Sequence, residues 1–259
     1  MLNLPQNPKW DIARVSHSTL VNADCFDVFP FIEDKSIDAI ICDLPYGTTQ
    51  NKWDSILPLD KLWKQYERIL KETGVIILTA SQPFTSILIC SNLPMFKHEW
   101  IWIKNKGSNY LNAKREPMKE HEQVLVFSKG KYTYNRILEE RSELGKQRHK
   151  YGYKSEKIQS DNYGAQPSKT YNIDKDLRIP KSYQRFIGEH GLHPTQKPIT
   201  LLEYFIKTYT NEGDMVLDNT TGSGTTNLAC LKLNRKSIGI EKEKQYYDVA
   251  VRRLSSYCG

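Results

Sequence analysis

The chain has 259 residues, 39% of them hydrophobic and 26% charged, with a formal net charge of +7. That is enough for one sizeable domain, or one domain carrying a large insertion, and it excludes chain-wide disorder. No apolar run reaches the roughly 18 residues of a membrane span. The first ten residues hold two prolines and no apolar stretch of a secretory signal, and five cysteines without CxxC spacing suit neither a disulfide framework nor a zinc site. A cytoplasmic protein with no membrane partner is expected.

In chain order, LVNADCFDVF suggests a strand ending near Asp24, with helix capping as the competing role for that acid. Ile37 to Cys42 is an apolar run that predicts a buried strand ending at Asp43. The spacing of Leu62, Tyr66, Ile69 and Leu70 predicts a helix stopped by Gly74, and Val75 to Thr79 a second buried strand. Glu99–Ile103 and Gln123–Phe127 predict two more. Pro198 opens a helix with Leu201, Leu202, Phe205 and Ile206 on its inner face. Met215–Leu217 and Ser237–Ile240 then flank a helix from about Thr225 to Leu233. Alternating strands and helices imply an α/β fold, a doubly wound and mostly parallel sheet with helices on both faces.

The middle of the chain differs. Residues 104–190 hold 19 Lys/Arg against 11 Asp/Glu, while the remainder holds 18 against 19, so one segment supplies all the excess positive charge. It also carries eight of the 15 tyrosines. From Glu139 to Arg185 the only aliphatics larger than alanine are Leu144, Ile158, Ile173, Leu177 and Ile179. Such a stretch builds little core, and Tyr interleaved with Lys and Arg suits a nucleic-acid surface, with a solvated basic loop as the alternative.

Two segments carry chemistry. Met215 to Thr226 reads MVLDNTTGSGTT: a strand, Asp218, then a turn with Gly222 and Gly224 entering a helix. The glycines permit close backbone approach, the helix start offers free N–H groups, and Glu241 ends the next strand where an acid can accept from ribose hydroxyls. Asn227 stands where a dinucleotide fingerprint has its third glycine. That departure, with Asp218, fits a nucleoside carrying an amino-acid tail better than a pyrophosphate. The second segment is Asp43-Leu44-Pro45-Tyr46, at the strand end where ligands bind in open α/β sheets.

With that tetrapeptide the chain resembles the amino-group DNA methyltransferases, whose signature is Asp/Asn/Ser-Pro-Pro-Tyr/Phe. HPTQKP at 193–198, DNTTGSGTT and GIEKE around Glu241 match further motifs of the family, in the order of its β group. Leu44 departs from the usual proline, but the family uses that residue's backbone carbonyl, which leucine also supplies. The resemblance implies a Rossmann-like core over 1–105 and 190–259, with the basic, Tyr-rich segment 106–189 including the target-recognition region. It implies S-adenosylmethionine as cofactor and double-stranded DNA as partner, and leaves a homodimer and a cognate restriction endonuclease open as further partners.

The implied catalytic residues are Asp43, Leu44, Pro45 and Tyr46. Asp43 and the Leu44 carbonyl accept the N–H groups of an exocyclic amine, and Tyr46 stacks on a base rotated out of the duplex. The implied cofactor residues are Asp24 near the adenine, Lys197 near the methionine carboxylate, Asp218 on the ammonium and Glu241 on the ribose, with Thr220, Gly222, Gly224 and Thr225 in the turn. No metal site is expected. Asp at the first position favours adenine N6. Cytosine N4, methylation of RNA or a protein amide, and an inactive DNA-binding relative stay open. Cys42 adjoins Asp43, but strand alternation points it the other way, which disfavours a thiolate mechanism at cytosine C5.

Overall fold

In a computed structural model, the described residues are 9–47, 54–150, 159–160, 164–165, 176–188 and 196–259. The chain divides into two compact units, residues 1–135 with 182–259, and residues 136–181.

The elements of the first unit begin with β1 (Asp11–Val15), β2 (Ser18–Asn22), the short α1 (Cys25–Val28), β3 (Ile37–Cys42) and α2 (Leu59–Ile69). They continue with β4 (Leu70–Ala80), α3 (Phe84–Ser91), β5 (Phe96–Ser108) and β6 (Lys119–Phe127). The second unit holds β7 (Glu139–Glu140), α4 (Glu143–Lys150), β8 (Gln159–Ser160), β9 (Gly164–Ala165) and β10 (Leu177–Arg178). The first unit resumes with β11 (Tyr183–Arg185), α5 (Ile199–Tyr209), β12 (Met215–Asp218), α6 (Thr225–Lys232), β13 (Lys236–Glu241) and α7 (Lys244–Cys258).

Nine strands form one sheet in the order β1-β2-β13-β12-β3-β4-β6-β5-β11. From β2 through β4 every pairing is parallel, whereas β6 runs antiparallel to both its neighbours. Buried residues of β3 alternate between two cores. Ile40 and Cys42 pack with Leu62, Tyr66 and Phe84 of α2 and α3, and Ala39 and Ile41 pack with Leu201, Phe205 and Ala229 of α5 and α6. Burial on both faces is why these strands read as continuous apolar runs rather than as alternation. The expected doubly wound α/β architecture is present.

Three boundaries differ from the sequence reading. The helix preceding β4 ends at Ile69 and the chain turns extended at Leu70, so Gly74 lies inside β4 rather than stopping the helix. A Cβ at Gly74 would sit 2.6 Å from Leu70 Cγ; the glycine leaves room for that buried leucine. The segment boundary drawn at 105 cuts through β5 and excludes β6. Yet β6 lies between β4 and β5, and its Val124, Leu125, Val126 and Phe127 are fully buried, so residues 106–135 belong to the sheet unit. At the other end, β11 pairs with β5, which returns residues 182–188 to the same unit.

In the second unit, β7 pairs antiparallel with β10, and Arg178 holds Glu139 at 2.9 Å. β8 pairs with β9. Among the described residues, none of the three buried hydrophobic clusters draws on 136–181, as its shortage of aliphatics predicts.

Candidate active site

Chain order places β3 and β4 on one side of a switch point and β12 on the other, so the segments following β3 and β12 leave the sheet side by side. Such crevices are where open α/β sheets bind ligands. Asp43, Thr79, Asp218 and Glu241 all stand at this carboxyl edge. Because β6 is antiparallel, its beginning reaches the same edge: Gln123 pairs with Ala80, and Glu122 precedes it.

Asp43 is the most heavily engaged group there. Its Oδ1 accepts from the Tyr46 hydroxyl at 2.9 Å and from the Thr79 hydroxyl, and the Lys197 ammonium lies 2.7 Å from both carboxylate oxygens. Thr79 is positioned by register, since Cys42 pairs with Leu78 and the next residues stand side by side. Lys197 comes from the segment entering α5 and is only 8% exposed. It also lies 3.5 Å from Glu122, which is bound on its other side by Lys104 at 2.5 Å. Burial alone would discharge Lys197, but Asp43 and Glu122 outweigh it and hold the ammonium above its ordinary pKa. The Tyr46 ring stacks on Phe84 with centroids 5.4 Å apart. Leu44 is buried in the core below, so the departure from proline adds an anchor for the tetrapeptide.

The second half of the crevice is the glycine turn. The Thr220 hydroxyl donates to the Asp43 carbonyl at 3.1 Å, joining the two strand-end segments. Asp218 is 3% exposed and accepts from the Thr220 N–H at 3.1 Å. Burial pushes its carboxyl up to about 7, and Asp43 adds to this. Among the described residues it pairs with no cation, so an incoming ammonium fits it. Glu241 accepts from the Gly222 and Glu243 N–H groups at 2.7 and 2.8 Å and is raised by burial. Asn219 is 2% exposed; its carbonyl oxygen accepts from Tyr66 and Cys42, and its side chain also meets the Cys25 thiol. Two buried carboxyl groups in one crevice, Asp218 and Glu241, suit a ligand with an ammonium and a ribose.

Asn227, in place of a third glycine, is fully buried; it accepts from the Thr221 hydroxyl and donates to Ser237 at 3.0 Å. The close helix–strand approach is supplied from the strand instead: a Cβ at Gly239 would sit 2.6 Å from the Asn227 side chain. Gly224 has φ +76°, and a Cβ there would meet Ala250 Cβ at 2.9 Å. Gly224→Ala is therefore expected to cost about 1–3 kcal/mol, measurable by thermal or denaturant unfolding.

Other residues fall differently. Lys197, expected beside the cofactor carboxylate, is seated on Asp43. Asp24 caps α1 through the Phe26 N–H at 3.0 Å and pairs with Lys242 at 3.1 Å, the role that competed with a cofactor contact. The Thr225 hydroxyl is held by Arg253 at 2.8 Å. Cys42 is buried on the α2 side with its thiol pushed well up by burial, an environment unlike that of a nucleophile. His193 lies outside the described residues, as do Pro194 and Thr195. Sequence reasoning missed Thr79, Lys104, Glu122 and Asn219. The polar endings of otherwise apolar strand runs, VIILT and EQVLVF, were the available signal.

The family model described as DNA methylase matches residues 37–252. The chain is 30% identical over 252 residues to the Type II methyltransferase M.HpaI of Haemophilus parainfluenzae, covering 92% of this chain and 74% of that one. It is 30% identical over 252 residues to the DNA adenine methyltransferase YhdJ of Escherichia coli (strain K12), covering 91% and 82%. Among solved structures, the M1.HpyAVI–SAM complex superposes with a TM-score of 0.62 at 26% identity, over 91% of this chain and 99% of that one. The PvuII cytosine-N4-specific DNA methyltransferase superposes at 0.65 with 14% identity, over 94% and 93%, a likeness of fold. With the family model matched over residues 37–252, a span that holds both the strand-end tetrapeptide and the glycine turn, this chain belongs to the DNA methylase family.

Proposed function

We propose that the chain is an S-adenosylmethionine-dependent DNA methyltransferase acting on adenine N6 of a base rotated out of the duplex. The observation that carries this is the Asp43 carboxylate, braced by Thr79, Tyr46 and Lys197 and tied through Thr220 to the turn holding Asp218. The adenine assignment draws on Asp at the first tetrapeptide position and on the adenine-specific relative.

An exocyclic amine is a poor nucleophile because its lone pair is delocalised into the ring. Asp43 and the Leu44 carbonyl each accept one N–H, which favours a pyramidal nitrogen with a localised lone pair. The cofactor, when bound, supplies a sulfonium-activated methyl group. As the nitrogen forms its new N–C bond and the C–S bond breaks, positive charge grows on the nitrogen, and Asp43 stabilises it. The nitrogen then sheds one proton, with Asp43 in contact to receive it. Asp218 would hold the ammonium of the amino-acid tail and Glu241 the ribose. Transfer of a labelled methyl group to DNA, and not to RNA or protein, is the test.

Duplex DNA is held by the basic residues of 106–189. The loop joining β5 to β6 rises from the catalytic edge with Tyr110 and Leu111 71% and 83% exposed, and Lys114 and Arg115 beside them. Replacing both Lys114 and Arg115 by Ala is expected to weaken binding to all DNA sequences alike. The slope of log affinity against log salt should drop by about 1–2. A filter-binding series over salt concentration measures both. We further propose a homodimer and a cognate restriction endonuclease as partners, and sedimentation tests the first. No described helix is long and apolar enough to cross a membrane, and we place the protein in the cytoplasm with its DNA.

A further inference from the structure

The contacts at Asp43 raise a difficulty for base capture. A carboxylate offers about four lone-pair positions. Tyr46, Thr79 and Lys197 crowd Oδ1, and the Lys197 ammonium, 2.7 Å from both oxygens, is the one donor on Oδ2 among the described residues, the oxygen with room for an incoming amine. Tyr46 is fixed by stacking on Phe84 and Thr79 by the β4 register, which leaves Lys197 as the donor able to yield. Electrostatics require the same move. An ammonium 2.7 Å from Asp43 cancels the negative charge that must stabilise the cation growing on the amine nitrogen. Yet Lys197 is 8% exposed, and a buried ammonium cannot be left unpaired without severe cost.

Glu122 resolves this. Its Oε2 is buried, has no hydrogen-bond partner among the described residues, and lies 3.5 Å from the Lys197 ammonium. A charge-assisted hydrogen bond is about 2.8 Å long, so a displacement of about 0.7 Å completes the contact, and further rotation of the flexible lysine stem carries the ammonium off Asp43. Lys104 and the antiparallel strand hold the other end of Glu122 in place. We propose that Glu122 is a positioning residue for methyl transfer, the landing site to which Lys197 shifts when the target amine takes its place on Asp43. This rests on Asp43 receiving the amine, as proposed above, and adds a step that neither tetrapeptide nor glycine turn contains. Lys197 then acts as a placeholder that keeps Asp43 oriented until the base arrives.

Glu122→Gln keeps the shape and an acceptor while removing the charge that draws Lys197 off Asp43. It is expected to slow single-turnover methylation by about tenfold or more, with cofactor affinity within about twofold of wild type by calorimetry. Glu122→Asp retains the charge at shorter reach and should recover part of that rate. Fluorescence of 2-aminopurine at the target position adds a readout that a merely structural role would not move. The wild-type rise on base capture should be slowed or diminished in Glu122→Gln. Wild-type rates and fluorescence in Glu122→Gln would overturn the proposal. So would an equal loss in Glu122→Asp accompanied by weakened cofactor binding, which marks general damage to the site. A wild-type chain that transfers no methyl to DNA would instead fail the functional reading itself.

Discussion

Asp43→Asn and Asp43→Ala are each expected to lower the single-turnover methylation rate by about 10³-fold, with cofactor affinity within about twofold of wild type. Asparagine keeps the size of the side chain and one acceptor oxygen but removes the charge on which the developing ammonium depends. Alanine removes both. The separation between chemistry and cofactor binding follows from the layout. Asp43 lies after β3 and touches the turn after β12 only through its backbone carbonyl, which both variants retain. The fold should survive, because Lys197, the partner left behind, still has Glu122 at 3.5 Å. Thermal unfolding, calorimetry with the cofactor, and a single-turnover assay on DNA together check the three parts of this expectation. Near-normal rates in Asp43→Ala would sink the mechanism.

Asp218→Asn carries the second large effect. Its carboxyl is pushed up to about 7 by burial, well above the unfolded value, so the native state holds a proton more tightly than the unfolded chain does. The associated stability is present at low pH and is lost as pH rises from about 4 through about 7. Asparagine removes this burden, so the variant's melting temperature should gain on wild type as pH rises, by up to an equivalent on the order of 4 kcal/mol. Cofactor binding should move in the opposite direction. An ammonium selects the ionised carboxylate, so wild-type affinity should climb between about pH 6 and 7 by up to tenfold per unit, while Asp218→Asn binds about 10–100-fold more weakly at pH 7.5 with a flat profile over that range. Calorimetry across pH decides this, and a wild-type profile as flat as the variant's would show that Asp218 does not meet the ammonium.

Much of the sheet was legible because its central strands are buried on both faces. Ile37–Cys42, Val75–Thr79 and Ser237–Ile240 are apolar runs of strand length, bounded by acids or turns, and each is a strand. Strand ends were harder. β5 and β6 extend into polar residues without an apolar signature: Lys119 and Glu122 pair in the ladder, and Lys104 lies where its register shifts. For the same reason a boundary drawn from charge fell at 105 rather than at 135, since basic side chains decorate a sheet edge as readily as an insertion. The candidate site divides along similar lines. Asp43, Asp218 and Glu241 were visible because each ends an apolar run, and parallel topology brings such ends to one edge. Lys197 was singled out but given another partner, because its neighbour is 154 residues away and only the folded sheet puts them together. Thr79 and Glu122 were not legible as site residues, since each depends on the register of β4 with its neighbours.

The central claim is that Asp43 activates the N6 amine of an adenine within a DNA sequence recognised by the same chain. Sequencing DNA from a host that expresses the protein, with a method that detects modified bases, tests it most directly. The expected result is N6-methyladenine at one recurring short motif, absent when the host carries the Asp43→Ala variant. N4-methylcytosine in its place, or methylation that persists in the variant, would contradict the account.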